Sequence, residues 1–246
     1  MSDISGTSGT SASSAPDFRR GLVIAVDGPS GSGKSTAARR VAVALGLRYL
    51  DTGSMYRALT WWLLRQQIDV ADTAAVLRRI EEPVIAVVTD PAAPRILVDG
   101  TDVGREIRTR EVSNAVSVVA VISQVRRVMV GMQQEIIAEA VAAGAGIVAE
   151  GRDIGTVVAP RAPVKVYLTA SELARAERRS ADLADDDPAA TVVTIQREQA
   201  RRDRRDAGQM TMATDAVEID TTALDLDDVV GEIVRMARVW TAASRG

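Results

Sequence analysis

The chain has 246 residues, 46% of them hydrophobic and 26% charged, with a formal net charge of −3. That balance belongs to a globular chain long enough for one embellished domain, and it argues against a nucleic-acid-binding surface while leaving room for a local basic pocket. There is neither cysteine nor histidine, which excludes disulfides, thiol nucleophiles, Ser-His-Asp catalysis, zinc–histidine sites and histidine general bases.

Residues 1–20 open with Ser, Gly, Thr and Ala and have almost nothing to bury; they read as a disordered tail. The stretch has neither a basic start nor an apolar run, so it is not expected to be a signal peptide. No charge-free apolar run approaches ~18 residues, so no membrane span is expected. The expected compartment is the cytoplasm.

Leu22-Val23-Ile24-Ala25-Val26 is an apolar, β-branched run, the pattern of a buried parallel strand. It breaks at Gly28-Pro29-Ser30-Gly31-Ser32-Gly33-Lys34-Ser35-Thr36. Gly-x4-Gly-Lys-Ser between a strand and a helix is the P-loop pattern. The glycines let successive N–H groups turn toward phosphate oxygens, and the following helix adds its positive end. Lys34 supplies a cation at the β- and γ-phosphates, and the Ser35 hydroxyl is a ligand for Mg²⁺. Lysine occurs elsewhere only at Lys165, so Lys34 is not background composition. The helix runs from Ser35 to Leu45, with Gly46 as its stop.

Leu47–Leu50 is a second strand, followed by Asp51-Thr52-Gly53-Ser54-Met55-Tyr56-Arg57 and a helix through about Arg65. Polar residues beyond the carboxyl end of a parallel strand sit where open α/β sheets bind ligands, so Asp51, Thr52 and Arg57 face the P-loop crevice. The alternative is a helix cap made by Thr52 or Ser54, with Arg57 solvated. Residues 68–144 read as an insertion: a short helix over 72–80, a β-rich run over 83–89, and a hairpin over 96–103 turning at Asp99-Gly100. Helices over 110–120 and 124–143 follow. Arg126 and Arg127 begin the second, a poor place for cations in the helix dipole; either one reaches for an anion or both are solvated.

Gly146–Glu150 is another buried strand, ending in Gly151-Arg152-Asp153-Ile154-Gly155-Thr156. Val164–Leu168 and Ala216–Asp220 complete the strands, and an amphipathic helix over 226–239 closes the chain. Between Ser171 and Asp206, eight arginines face nine acids in two helical stretches flanking residues 184–188. Arg175, Arg178 and Arg179 share one helical face, as do Arg201, Arg204 and Arg205, with Arg202 beside them. The segment is either a salt-bridged, solvated helix pair or a lid whose arginines close over transferring phosphates.

Taken together, the P-loop, Asp51–Arg57, Glu106-Ile107-Arg108-Thr109 with Asn114 and Ser117, and Gly151–Thr156 resemble the bacterial cytidylate kinases, P-loop enzymes that phosphorylate CMP and dCMP with ATP. The resemblance covers residues 21–240. It implies that Gly28, Pro29, Ser30, Gly31, Ser32, Gly33, Lys34, Ser35 and Thr36 hold ATP, with Mg²⁺ at Ser35. It further implies that Thr52 and Arg57 bind the CMP phosphate, that Ser117, Arg126 and Asp153 line the cytosine pocket beside Arg152, and that Arg202 and Asp206 reach the ribose. Lys34, Arg152, Arg178 and Arg202 become the catalytic cations. The resemblance leads one to expect a later arginine where Gln209 stands, and a Pro-Leu pair after it that is also missing; Arg204 or Arg205 are the candidate replacements.

The expected architecture is therefore an α/β P-loop sheet flanked by helices, with core segments 21–67, 145–170 and 208–246. A monophosphate-binding insertion occupies 68–144 and a short lid 171–207. The expected partners are ATP and CMP or dCMP, without nucleic acid or membrane, and the chain is expected to be a monomer. Other small-molecule P-loop kinases, and a nucleotide-sensing switch that transfers nothing, are the alternatives to a (d)CMP kinase.

Overall fold

Alternate residues of the first strand face two different cores. In the computed structural model, which describes residues 21–183 and 191–244, strand β1 (Val23–Asp27) is buried throughout. Val23 and Ala25 join one apolar cluster, Ile24 and Val26 the other, as the period of two requires. Helix α1 (Lys34–Leu45) follows and ends at Gly46, left-handed with φ 65°. Next come β2 (Arg48–Asp51), α2 (Thr52–Arg65) and α3 (Thr73–Leu77), then β3 (Ile85–Val88), β4 (Arg95–Val98) and β5 (Thr101–Asp102). Helices α4 (Arg110–Ala120) and α5 (Ser123–Ala142) lead to β6 (Ile147–Gly151) and β7 (Val164–Thr169). Helices α6 (Glu172–Leu183) and α7 (Val192–Asp206), strand β8 (Val217–Asp220) and helix α8 (Leu226–Ala243) complete the chain.

The main sheet has five strands in the order β2-β6-β1-β7-β8, all parallel. The expected α/β architecture is present. Strand order reverses around β1, and the crevice outside the carboxyl ends at such a switch point is where these sheets bind ligands. Register brings the polar ends together: Asp51 pairs with Glu150, and Asp27 with Gly151. One face of the sheet packs on α1 and α8. The other packs on α2 and the inserted helices, with Met55, Leu59, Leu63 and Met129 fully buried.

The insertion builds its own antiparallel sheet, β3-β4-β5. Asp99 (φ 50°) and Gly100 (φ 79°) both adopt left-handed backbone, the two-residue turn that matches strand twist. Helix α3 is shorter than the spacing predicts, because Ile80 turns back into the core. The turn after β6 is a five-residue π-helical segment, Ile154–Val158; the backbone N–H groups of Ile154 and Gly155 both donate to the Asp27 carboxylate at 2.8 Å. The proposed tail, residues 1–20, and the acidic stretch 184–188 lie outside the described residues. No single described helix is both long and apolar enough to cross a membrane.

Candidate active site

Glycine geometry sets the phosphate loop. Gly28 has φ 142°, and a Cβ there would stand 2.1 Å from the Leu168 carbonyl oxygen. Only glycine allows the loop to lie this close to β7. Gly31 has φ 82°, and a Cβ would meet the Gln199 amide nitrogen at 2.8 Å and the Arg175 carbonyl at 2.9 Å. Gly33 precedes α1 without any side-chain cap, which leaves the first N–H groups of the helix for an anion.

Six cationic side chains, Lys34, Arg57, Arg108, Arg152, Arg178 and Arg179, line a cavity of about 410 Å³ at this loop, against two carboxylates, Asp51 and Glu150. Lys34 is buried and donates to the Pro29 carbonyl at 2.6 Å. Burial, reinforced by Arg152, pushes its ammonium well below the usual lysine range. Arg57 donates to Ser113 Oγ at 2.8 Å and to the Ile107 carbonyl at 3.2 Å; burial, then Arg202 and Arg179, lowers it to about 9. Burial, with Arg179 and Arg152, likewise lowers Arg202. Cations crowded into a desolvated space repel one another, and an anion placed among them would offset that repulsion.

Arg152 donates to the Gly28 carbonyl at 3.1 Å and faces Asp206 at 3.6 Å. Arg178 reaches Thr221, donating to its hydroxyl at 3.0 Å and its carbonyl at 2.6 Å. Arg175, only 5% exposed, bonds to the Ser30 carbonyl at 3.1 Å and to Asp203 at 2.6 Å. The base of the helix pair α6–α7 is thus fastened to the phosphate loop. Arg110 of α4 pairs with Glu198 of α7 through two bonds, at 3.0 and 2.5 Å, fastening the helix pair to the insertion as well.

A second, smaller cavity of about 230 Å³ adjoins the loop. Ala37, Leu224, Leu226 and Val229 give it apolar walls, with Arg178 and Thr221 at its rim. A larger cavity of about 1080 Å³ lies between α1 and residues 91–94. Two of its basic groups are engaged: Arg39 with the carbonyls of Pro91 and Ala92, and Arg40 with Asp227.

Beyond Arg152 lies a polar cluster. Asp153, nearly buried, pairs with Arg126, whose other terminal nitrogen donates to Gln209 Oε1 at 2.8 Å. Buried Ser117 accepts from Arg205 at 3.3 Å.

The residues singled out from the sequence mostly converge, with differences. Asp51, not Thr52 or Ser54, caps α2, accepting from the Ser54 N–H at 3.0 Å. The Thr52 hydroxyl donates instead to the Glu150 carbonyl at 2.7 Å. Arg126 is not solvated and has Asp153 as its anion, whereas Arg127 shares no such contact among the bonds described. Of the α7 arginines, Arg202 is buried while Arg201, Arg204 and Arg205 are exposed, because Arg202 occupies the inward face. Sequence reasoning missed Glu150. It is buried at the end of β6 and accepts from the Tyr49 hydroxyl at 2.6 Å; burial and Asp51 raise its carboxyl, with Lys34 nearby acting the other way. Its signal was present: an acid ending the strand beside the P-loop strand.

Comparison with known proteins adds the family. The cytidylate kinase family model matches residues 24–239. This chain belongs to the cytidylate kinase family. It is 45% identical to a cytidylate kinase of Streptomyces griseus subsp. griseus over 218 residues, covering 89% of this chain and 93% of that one. It is 46% identical to that of Streptomyces coelicolor over 215 residues, covering 87% and 92%, and 46% identical to that of Rhodococcus opacus over 217, covering 87% and 93%. A gluconokinase from Sinorhizobium meliloti 1021 has a similar outline, with 16% identity, a TM-score of 0.48, and coverage of 92% of this chain and 97% of that one; that likeness carries no functional argument. As a cytidylate kinase family member, the chain is a nucleoside monophosphate kinase.

Proposed function

We propose that the chain transfers the γ-phosphoryl group of ATP to CMP or dCMP, giving ADP and CDP or dCDP. The observation that carries the acceptor is the Arg126–Asp153 pair beyond Arg152. A carboxylate accepts from the exocyclic amino group of cytosine and repels the carbonyl that uracil has there, so such a pair discriminates between the two. The ATP phosphates lie on Gly28–Thr36, and the apolar cavity beside Ala37 and Leu226 takes the adenine. Thr52 and Arg57 serve the CMP phosphate, Ser117 the base, and Arg202 and Asp206 the ribose.

An oxygen of the CMP phosphate attacks the γ-phosphorus. The new O–P bond forms as the bond to the β–γ bridging oxygen breaks, and that electron pair leaves with ADP. The nucleophile is already anionic, so no general base is needed, in keeping with a chain that lacks histidine. Lys34, Arg152, Arg178 and Arg202 offset the charge as it moves between oxygens.

The donor set at Ser35 fits Mg²⁺: its hydroxyl, the Glu150 carboxylate and Asp51 line one cavity and offer the hard oxygen ligands this ion takes. Among the described residues no three acidic side chains form a metal cage, which suits an ion shared with phosphates and water. When bound, it neutralises phosphate charge.

ADP release measured with CMP, dCMP, UMP, AMP and no acceptor tests the reading. It predicts strong release with CMP or dCMP, weak release with UMP and AMP, and almost none without acceptor. Equal release with UMP or AMP refutes the acceptor assignment. Binding of ATP with no acceptor-dependent release would make the chain a sensor.

A further inference from the structure

The turn after α7 places one neutral amide inside the polar cluster at Arg126. Gln209 Oε1 accepts from Arg126 Nη1 at 2.8 Å, and Gln209 Nε2 donates to the Ala120 carbonyl at 3.3 Å. Both ends of the amide are therefore committed. A guanidinium only donates and a carbonyl only accepts, so its orientation is unambiguous. The turn itself is tied down, since the Gln209 N–H donates to the Asp206 carbonyl at 2.8 Å.

We infer that Gln209 is a positioning residue for base recognition, holding Arg126 between a carboxylate and a neutral acceptor so that its remaining donors face the base. The inference rests on the CMP kinase reading above. Four elements meet at this point: the end of α4 at Ala120, the first turns of α5 at Arg126, the residues just past β6 at Asp153, and the turn after α7 at Gln209. Two of these belong to the insertion, one to the sheet and one to the chain just past α7. Arg126 has five N–H donors, and without Gln209 only Asp153 would restrain it on this side. A cation at 209 would stand against Arg126, whereas the amide oxygen attracts it. Seating the turn after α7 thus orients the arginine that meets the base. Gln209 acts through Arg126 and needs no contact with the reacting atoms.

The test is steady-state kinetics of the full chain carrying Gln209→Leu, Gln209→Met or Gln209→Glu, with CMP and UMP as acceptors. Leu and Met keep most of the volume and remove the acceptor. Loss of one charge-assisted bond predicts a rise of about tenfold in the CMP KM, kcat at saturating CMP within about twofold, an unchanged ATP KM, and a lower CMP-to-UMP ratio of kcat/KM. Glu keeps an acceptor for Arg126 and should restore the CMP KM to near wild type, although it loses the bond to Ala120. A wild-type CMP KM and ratio in both Leu and Met overturns the inference. So does an equal loss in Glu and Leu, which would mean that only the Ala120 contact matters. Melting temperatures identify any variant that fails to fold, and the remaining apolar variant then decides. The wild-type arm separates the two levels: no preference for CMP in wild type defeats the kinase reading and the inference with it, whereas a preference that Gln209→Met leaves intact defeats the inference alone.

Discussion

Lys34 is buried, faces Arg152 and is bonded to a carbonyl of its own loop. Lys34→Ala should keep the fold and lose turnover by a factor on the order of 100 or more, the usual effect of deleting one fixed charge-stabilising group. A folded variant with near-normal kcat would remove Lys34 from the chemistry. The depressed ammonium and the raised Glu150 carboxyl give a pH prediction of one sign. ATP brings negative charge, which lifts the depressed ammonium back toward its usual range and raises the carboxyl further, and a group whose pKa rises on binding takes up protons; the sign holds above the pH at which free ATP is itself fully ionised. Calorimetry at a pH about one to two units above neutral, where ATP is fully ionised, in two buffers of different ionisation enthalpy should show uptake; zero or negative proton transfer contradicts it. Asp153→Ala should lower kcat/KM for CMP far more than for UMP, because it removes an acceptor that only cytosine uses. An equal fall for both would reduce Asp153 to a holder of Arg126. At this scale the sequence was legible where a motif fixes geometry, as at Gly28–Lys34. It was not where the answer depended on a helix's rotation, which put Arg202 inward and Arg205 outward, nor where a main-chain acceptor captured a hydroxyl, as Glu150 does with Thr52.

Helix pair α6–α7 meets the phosphate loop through Arg175, which is buried between the Ser30 carbonyl and Asp203. Arg175→Ala leaves Asp203 half-buried without its cation, and breaking such a pair costs about 3 kcal/mol. The expected result is a lower melting temperature together with weaker ATP binding. A loss of stability with ATP affinity intact would make Arg175 a purely structural anchor of the pair. Elements were the most readable level. The strands of the sheet, the Gly46 stop and the Asp99-Gly100 turn all follow from patterns that need only neighbours in sequence. The π-helical turn at Ile154–Val158 did not, since its N–H groups are organised by Asp27, more than a hundred residues away in the chain.

Across the whole molecule, three separate stretches of chain close on one crevice: the sheet, the insertion and α6–α7. The bonds from Arg110 to Glu198 and from Arg205 to Ser117 join the last two, and whether α6–α7 acts as a lid is decided by its response to substrate. Amide hydrogen exchange in those two helices should slow when a bisubstrate analogue joining adenosine and cytidine phosphates is added. Unchanged exchange there would return α6–α7 to a fixed scaffold. Residues brought together from such distances were foreseen only through family resemblance, because no local spacing encodes the meeting of Arg126 with Asp153.

The sheet's parallel order also has a practical side. Strand β1 starts beside Gly21 and delivers its carboxyl end to the phosphate loop. Anything joined ahead of residue 21 therefore attaches a full strand away, roughly 17 Å, on the opposite rim of the molecule. A bulky group attached at that rim leaves the crevice open on the other side, so enzyme carrying it and enzyme without it should work at the same rate.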